Sequence, residues 1–199
     1  MLSTPNDGMP KQVMTMDLVQ FKEQVEADLK KRFGPDTRIW MWREYNGVRG
    51  FFGTGLFRNS VIIWITERPS LPRDKSKEDK FPDWMDNVFY EVLAEEGFQN
   101  IHLTDFVKIM GTAGERPTEE ILKTSADWMK REIETLKVEG KTLVIVANTK
   151  NVRKWIELYL AEFLPNTVYI PFFKHIINYT KKEYRKQAVR NVLRRILSQ

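Results

Sequence analysis

Three polar side chains follow three apolar runs that have the length of buried β-strands. Glu67, Asp105 and Asn148 each stand just after such a run. Parallel strands bring their carboxyl ends to one edge of a sheet, where open α/β sheets bind their ligands. A carboxylate at that edge can position water or stabilise a positive charge, and an amide can hydrogen-bond a ligand. The spacing therefore predicts one site, in which Asp105 either faces the ligand or only closes its strand.

The elements that would hold these side chains alternate between strand and helix. Apolar, β-branched runs predict strands near residues 61, 101, 142 and 167, and apolar residues at helical spacing predict a helix after each strand. This alternation predicts an α/β protein with three layers, α/β/α, around a central, mainly parallel sheet of four strands.

The residues before the first predicted parallel strand divide into three parts. Residues 1–15 show no periodicity and predict a loose tail, whereas residues 16–33 have the apolar spacing of a helix. Asn46-Gly47 is a strong hairpin signal, with the return strand predicted over 48–57; a Gly-rich surface loop is the alternative. We therefore expect a single domain over residues 16–199 behind the tail.

The C-terminal segment carries the net positive charge of the chain. Residues 173–199 hold eight Lys or Arg residues and one acid, in a chain whose net charge is +5. Thr180-Lys181-Lys182-Glu183 fits a capping box and predicts that the terminal helix begins there. Basic charge gathered in one element is typical of a protein that binds a polyanion such as DNA. A solvated helix face would have the same composition.

The composition is that of a globular protein, with 42% apolar and 12% aromatic residues among 199. No apolar run approaches the ~20 residues of a membrane-spanning helix, and the N-terminus predicts no secretion signal. The chain has no cysteine and two histidines, which excludes cysteine-based metal sites and argues against a histidine-rich one. We therefore expect a cytoplasmic monomer without a cofactor or metal ion, and without a membrane partner.

Three segments resemble motifs of the uracil-DNA glycosylase superfamily. Ile65-Thr66-Glu67-Arg68-Pro69-Ser70 resembles a strand ending in Gly-Glu-x-Pro-Gly, with both glycines replaced. Residues 103–108 and 115–121 resemble a strand ending in Thr-Asn-x-Val-Lys and an Arg-x-Pro-x-x-Glu helix start, with Asp105 where Asn is common. Residues 142–148 resemble the next strand. The resemblance covers about residues 60–195 and implies the fold of that superfamily.

Two motifs of the superfamily are missing. Its His-Pro-Ser motif has no counterpart beyond His175, which neither Pro nor Ser follows. The cysteines of the iron–sulfur branch are absent as well, so the chain would be a divergent member without the cluster.

The resemblance implies a DNA-repair hydrolase of base excision repair, which removes uracil or a related damaged base after flipping it out of DNA. Glu67 or Asp105 would position water and stabilise the oxocarbenium-like sugar, as carboxylates do in glycoside hydrolysis. His175 would stabilise the departing base anion. Thr66 and Asn148 would contact the base. Phe81 would stack on it, or else only pack against the helix that follows.

The DNA contacts implied by the resemblance come from charged and apolar residues around the site. Lys108 and Arg116 would meet phosphates, or else be solvated loop charges. Ile176 would wedge into the vacated base stack, unless it packs in the core. The full set of expected DNA-binding residues is Lys108, Arg116, Lys174, Ile176, Lys181 and Arg185.

Two functions of different classes remain open from the sequence. We expect the enzyme, acting on single- or double-stranded DNA, because Glu67, Asp105 and the basic C-terminus are retained. The alternative is a non-catalytic protein of the same fold that binds nucleic acid or a nucleotide, which the replaced glycines and the missing His-Pro-Ser motif favour.

Overall fold

The elements below come from a computed structural model, which describes residues 10–39, 44–45, 48–49, 55–68, 70–71, 84–98, 100–112 and 114–197. In chain order they are α1 (Pro10–Phe33), β1 (Glu44–Tyr45), β2 (Val48–Arg49), β3 (Leu56–Phe57), β4 (Ser60–Thr66), β5 (Ser70–Leu71), α2 (Trp84–Glu95), β6 (His102–Asp105), β7 (Gly111–Thr112), α3 (Glu119–Leu136), β8 (Thr142–Ala147), α4 (Lys150–Tyr159), β9 (Thr167–Tyr169), α5 (Phe173–Tyr179) and α6 (Arg185–Leu197). Short 3-10 helices cover Ala161–Asn166 and Lys182–Tyr184.

Strand β4 is the centre of the main sheet. It pairs in parallel with β6 along one edge and with β8 along the other, and β9 extends the sheet beyond β8. The short strand β3 pairs with the start of β4 in antiparallel orientation. The molecule is therefore an α/β protein with a mixed, mostly parallel sheet, and β3 makes that sheet five-stranded rather than four-stranded.

The continuous apolar run in β4 arises because both faces of the sheet are covered by helices. Ile63 and Ile65 belong to one buried apolar cluster, which includes residues of α1, α3 and α4. Ile62 and Trp64 belong to a second cluster, formed with α2, α5 and α6. Successive side chains of a strand point to opposite faces, so β4 contributes to both clusters.

The order of the strands places a crevice beside the carboxyl end of β4. Helix α2 carries the chain from β4 to β6 on one side, and α3 then carries it back across β4 to β8. Right-handed connections in opposite directions put the two helices on opposite faces. In such sheets the reversal point, here between β4 and β8, is where ligands bind.

Two predicted boundaries at the N-terminal side change. Helix α1 begins at Pro10, so the predicted tail over 1–15 is too long. Proline is favoured in the first helical turn, and the next residues include no glycine that would stop a helix. The predicted hairpin is present as the antiparallel pair β1 and β2. Of the predicted return strand over 48–57, the described residues are β2, which pairs with β1, and β3, which pairs with β4.

The C-terminal region departs from the predicted capping box. The terminal helix α6 begins at Arg185, not at Thr180. The Thr180 hydroxyl donates to the carbonyl of Ile176 at 2.6 Å, so it closes α5, a helix that the sequence did not predict. In the described parts of the chain, no helix is long and apolar enough to span a membrane.

Candidate active site

Thr66 and Asp105 lie side by side at the carboxyl ends of β4 and β6. They are partners in the parallel register, and the Thr66 hydroxyl donates a hydrogen bond to Oδ1 of Asp105. Both side chains are buried, with Asp105 only 3% exposed. Two of the residues predicted for the site are thus in direct contact, and the threonine fixes the orientation of the carboxylate.

Asn148 stands on the other edge of β4. Its backbone N–H donates to the carbonyl of Ile65 at 3.0 Å, which places it one step beyond the β8 ladder. Its side chain is fully buried, and within the described part of the chain neither Nδ2 nor Oδ1 has a hydrogen-bond partner. A buried polar group left unpaired costs about 1–3 kcal/mol. The amide therefore has one acceptor and one donor group to offer to a ligand that reaches this edge of the sheet.

Glu67 has a different neighbourhood from the Thr66–Asp105 pair. Its Oε1 accepts a hydrogen bond from Nδ2 of Asn151 on α4 at 3.1 Å. It lines a groove of about 560 Å³ between the start of α3 and α4. Because neighbouring residues of a strand point to opposite sides, Thr66 and Glu67 reach different partners. The hydrogen bonds from Thr66 and from Asn151 thus reach different carboxylates.

Lys108 is fully buried, and this burial removes it from the surface position expected for a phosphate contact. Its Nζ lies 2.6 Å from Oε2 of Glu132 on α3. The same ammonium donates to the carbonyl of Asp105 at 2.5 Å and to the hydroxyl of Thr104. Burial of a lysine requires such partners. Lys108 thus ties α3 to the end of β6, next to Asp105.

Glu132 also joins His102 to this buried network. Oε1 of Glu132 is 2.8 Å from Nε2 of His102, and both side chains are fully buried. Burial alone would raise the pKa of Glu132, but the charge of Lys108 and the hydrogen bond from His102 outweigh it and lower the pKa to about 2. Because an ionised carboxylate only accepts, Nε2 of His102 is the donor.

Glu132 was not among the residues predicted for the site. Its position on α3, four residues after Trp128 and three after Met129, puts it on the buried stripe of that helix. An acid on a buried stripe needs a cation or donor nearby. The sequence therefore indicates that Glu132 needs a partner, but it does not indicate which residues the partners are.

His175 lies on α5 and is exposed. Its ring contacts Phe172 and Tyr179, with centroid distances of 5.8 and 6.2 Å. The structure thus groups His175 with aromatic side chains of its own helix region rather than with Asp105 or Glu67.

The remaining predicted DNA-binding residues differ in what they contact. Arg185 donates from Nε to the carbonyls of Ile177 and Thr180, at 3.1 and 3.2 Å, and so closes the end of α5. Arg116 and Lys181 are exposed, and Lys174 and Ile176 are half-buried. Phe81, the predicted stacking residue, lies outside the described residues.

Part of the basic charge of α6 is neutralised by the neighbouring helix α2. Lys186 lies 3.1 Å from Glu91 and 2.7 Å from Glu95. Arg190 pairs with Glu95 and Glu96 at 2.5 and 2.8 Å. These two cations therefore form ion pairs within the molecule. The excess of positive charge in the sequence does not reveal these pairs.

Among the residues that the structure describes, no group of three or more His, Asp or Glu side chains is arranged to hold a metal ion. Comparisons of the chain with family models, with curated proteins and with solved structures give no match. What the fold and the site define is thus an α/β protein with buried polar groups at the carboxyl edge of its sheet. The resemblance to the uracil-DNA glycosylase superfamily rests on the sequence motifs alone.

Proposed function

We propose that the protein is a DNA glycosylase with the three-layer fold of the uracil-DNA glycosylase superfamily. It hydrolyses the N-glycosidic bond of uracil or a related damaged base that is flipped out of single- or double-stranded DNA, as a step of base excision repair. One observation carries this proposal: among the described residues, the buried amide of Asn148 has no hydrogen-bond partner, and it lies at the carboxyl edge of the sheet that also holds Asp105.

The amide of Asn148 has the hydrogen-bonding pattern that a uracil edge requires. Its Oδ1 accepts and its Nδ2 donates, whereas uracil presents a ring N–H next to a carbonyl oxygen. Because the amide is already buried, these hydrogen bonds would form in a surrounding of low dielectric constant, where they are stronger than in water. Binding of the base would also remove the cost of the unpaired amide.

Asp105 lies at the same carboxyl edge of the sheet as this amide, with β4 between β6 and β8. The Thr66 hydroxyl and the anchor from Lys108 to the Asp105 carbonyl hold it in place. A preorganised carboxylate of this kind stabilises positive charge on the sugar and orients water. Glu67, which bonds Asn151 in the adjoining groove, is the second candidate for this role.

The test is an assay for abasic sites in oligonucleotides that carry uracil, hypoxanthine or xanthine. Asp105→Ala and Glu67→Ala separate the two carboxylates, and Asp127→Ala on the exposed side of α3 is a matched control. We expect Asp105→Ala to lower the rate at least 100-fold, because general acid–base and electrostatic groups contribute about 10²–10⁴. Release that survives in both variants would reject the assigned carboxylates, and no release from any substrate would reject the enzyme.

A non-catalytic binder of nucleic acid or nucleotide is the second candidate. The observation in its favour is that Asp105 is buried and already hydrogen-bonded to Thr66, as a structural carboxylate would be. This candidate predicts that the oligonucleotides bind and that no base is released.

A further inference from the structure

Arg68, just past the end of β4, is a poorly paired cation. Its side chain is only 10% exposed, and the nearest carboxylate oxygen, Oε2 of Glu115, is 3.9 Å from Nη2. Nη1 lies 3.4 Å from the carbonyl of Glu115, and Nε is buried with no hydrogen-bond partner among the described residues. A buried guanidinium normally has close anionic or carbonyl partners, since an uncompensated charge is costly. Arg68 therefore has donors to spare.

Gly111 creates the space in which this guanidinium lies. A Cβ atom added at Gly111 would be 1.3 Å from Nη2 and 1.9 Å from Cζ of Arg68. The backbone there is fixed, because Gly111 of β7 pairs with Ser70 of β5 in a short parallel ladder. The absence of a side chain at Gly111 thus sets the position of Arg68.

The groove beside Arg68 has the features of a site for an anionic, aromatic ligand. Arg116 and Lys154 are exposed cations on its wall, and Trp155 and Tyr159 supply half-buried aromatic side chains. Glu67 and Glu115 are the acids that line the same groove, so the cations exceed the acids by one. Its volume of about 560 Å³ is within the usual range for small-molecule sites.

We propose that this groove binds the phosphate group of a nucleotide, with Arg68 as its principal donor. A guanidinium binds phosphate through two parallel N–H donors, and such charge-assisted hydrogen bonds are about twice as strong as neutral ones. The phosphate would supply the acceptors that Arg68 lacks, and Trp155 would face the sugar or base. The phosphate could belong to DNA, in which case the inference rests on the proposed function. A free nucleotide is the other source of the phosphate.

Binding of three ligands distinguishes these sources: inorganic phosphate, thymidine 5′-monophosphate, and a single-stranded oligonucleotide without uracil, each measured by calorimetry. A Kd for the oligonucleotide well below that for the monophosphate assigns the DNA strand. Equal or tighter binding of the monophosphate assigns the free nucleotide. Both results support the site only where the affinity depends on Arg68.

Four variants test that dependence. Arg68→Met should weaken binding about tenfold, because hydrogen bonds to charged groups are the stronger class. Gly111→Ala should weaken it in the same direction by displacing the guanidinium. Glu115→Gln, which keeps an acceptor for the Thr112 N–H, should tighten binding by removing a competing charge. Arg153→Met, on the same helix as Lys154 but outside the groove, removes one cation and should change the affinity less than about twofold.

Opposite effects of Arg68→Met and Glu115→Gln on the binding affinity distinguish a ligand site from a merely structural contact. If the Arg68–Glu115 contact only held the loop, both variants would alter the melting temperature and neither would tighten binding. If Arg68→Met and Arg153→Met bind each of the three ligands with the same affinity, the inference is overturned. So would weaker binding by Glu115→Gln.

The failure of this inference and that of the proposed function have different signatures. Binding is measured on DNA without uracil and needs no cleavage. Arg68-dependent binding together with no base release overturns the enzyme alone. Base release with binding unaffected by Arg68→Met overturns the phosphate site alone.

Discussion

Lys108 and Glu132 form an ion pair in the interior, with 2.6 Å between Nζ and Oε2 and neither side chain more than 1% exposed. The same ammonium donates to the carbonyl of Asp105. The pair therefore links helix α3 to the strand end that holds the candidate carboxylate. Loss of the ion pair would affect both the stability of the protein and the site.

Lys108→Met should lower the free energy of unfolding by about 3–5 kcal/mol, the usual result when one partner of a buried pair is removed. The physical reason is that the carboxylate of Glu132 stays buried without its cation. Urea denaturation at pH 7 measures the loss. Lys123→Met on the exposed face of α3, where Lys123 pairs with Glu119, is the control and should change little. Equal midpoints for the two variants would contradict the assignment.

The same pair should make the protein sensitive to acid. The pKa of Glu132 falls from its ordinary value of 4.5 to about 2 in the folded protein. Because the pKa of Glu132 is lower in the folded protein, its ionised carboxylate contributes fully to the free energy of unfolding above about pH 4.5. This contribution is lost as the pH falls toward 2. The shift corresponds to about 3 kcal/mol. Unfolding free energies measured from about pH 6 to about pH 2 should fall less steeply in Glu132→Gln than in the unmodified protein; parallel slopes would refute this.

Asn148→Leu should raise the free energy of unfolding by about 1 kcal/mol, because it removes two unpaired buried polar atoms. Under the proposed function it should also abolish base release. The control is Asn166→Leu, since Nδ2 of Asn166 donates to the carbonyl of Leu143 at 3.2 Å and its removal should destabilise. If Asn148→Leu makes the protein less stable than the parent, or leaves uracil release intact, the amide has another role.

Two lysines in the C-terminal region form a matched pair for DNA binding. Lys181 is exposed, whereas Lys186 lies against Glu91 and Glu95. Lys181→Gln should reduce the slope of log affinity against log salt concentration by about 0.7–0.9, the value for one phosphate contact. Lys186→Gln should leave the slope nearly unchanged. Fluorescence anisotropy over a series of salt concentrations measures both, and equal effects would show that engagement in ion pairs does not decide which cations meet DNA.

The parts of the fold that depend on neighbouring residues can be predicted from the sequence. Helices α3 and α4, for example, begin at local caps: Thr118 accepts from the N–H of Ile121, and Thr149 accepts from the N–H of Val152. Strands β4 and β8 were recognised because both faces of the sheet are buried there, which makes their sequences almost continuously apolar.

Features that depend on distant residues were not predicted. Lys108 follows a strand and has the sequence context of a loop residue, but its burial is decided by Glu132 on another element. The capping-box residue Thr180 serves α5 instead of α6, because the two helices meet there. Arg68 was not predicted as a site residue, because its environment depends on Gly111, which is far from it in sequence.

The central position of β4 has a consequence for synthesis of the chain. Strand β8, which covers one full edge of β4, emerges from the ribosome about 75 residues later. At roughly 5–20 residues per second, that edge stays open for about 4–15 s. During this time an apolar strand with unpaired N–H and C=O groups is exposed, and such edges favour aggregation. The nascent protein should therefore depend on holding chaperones until residue 147 has left the exit tunnel.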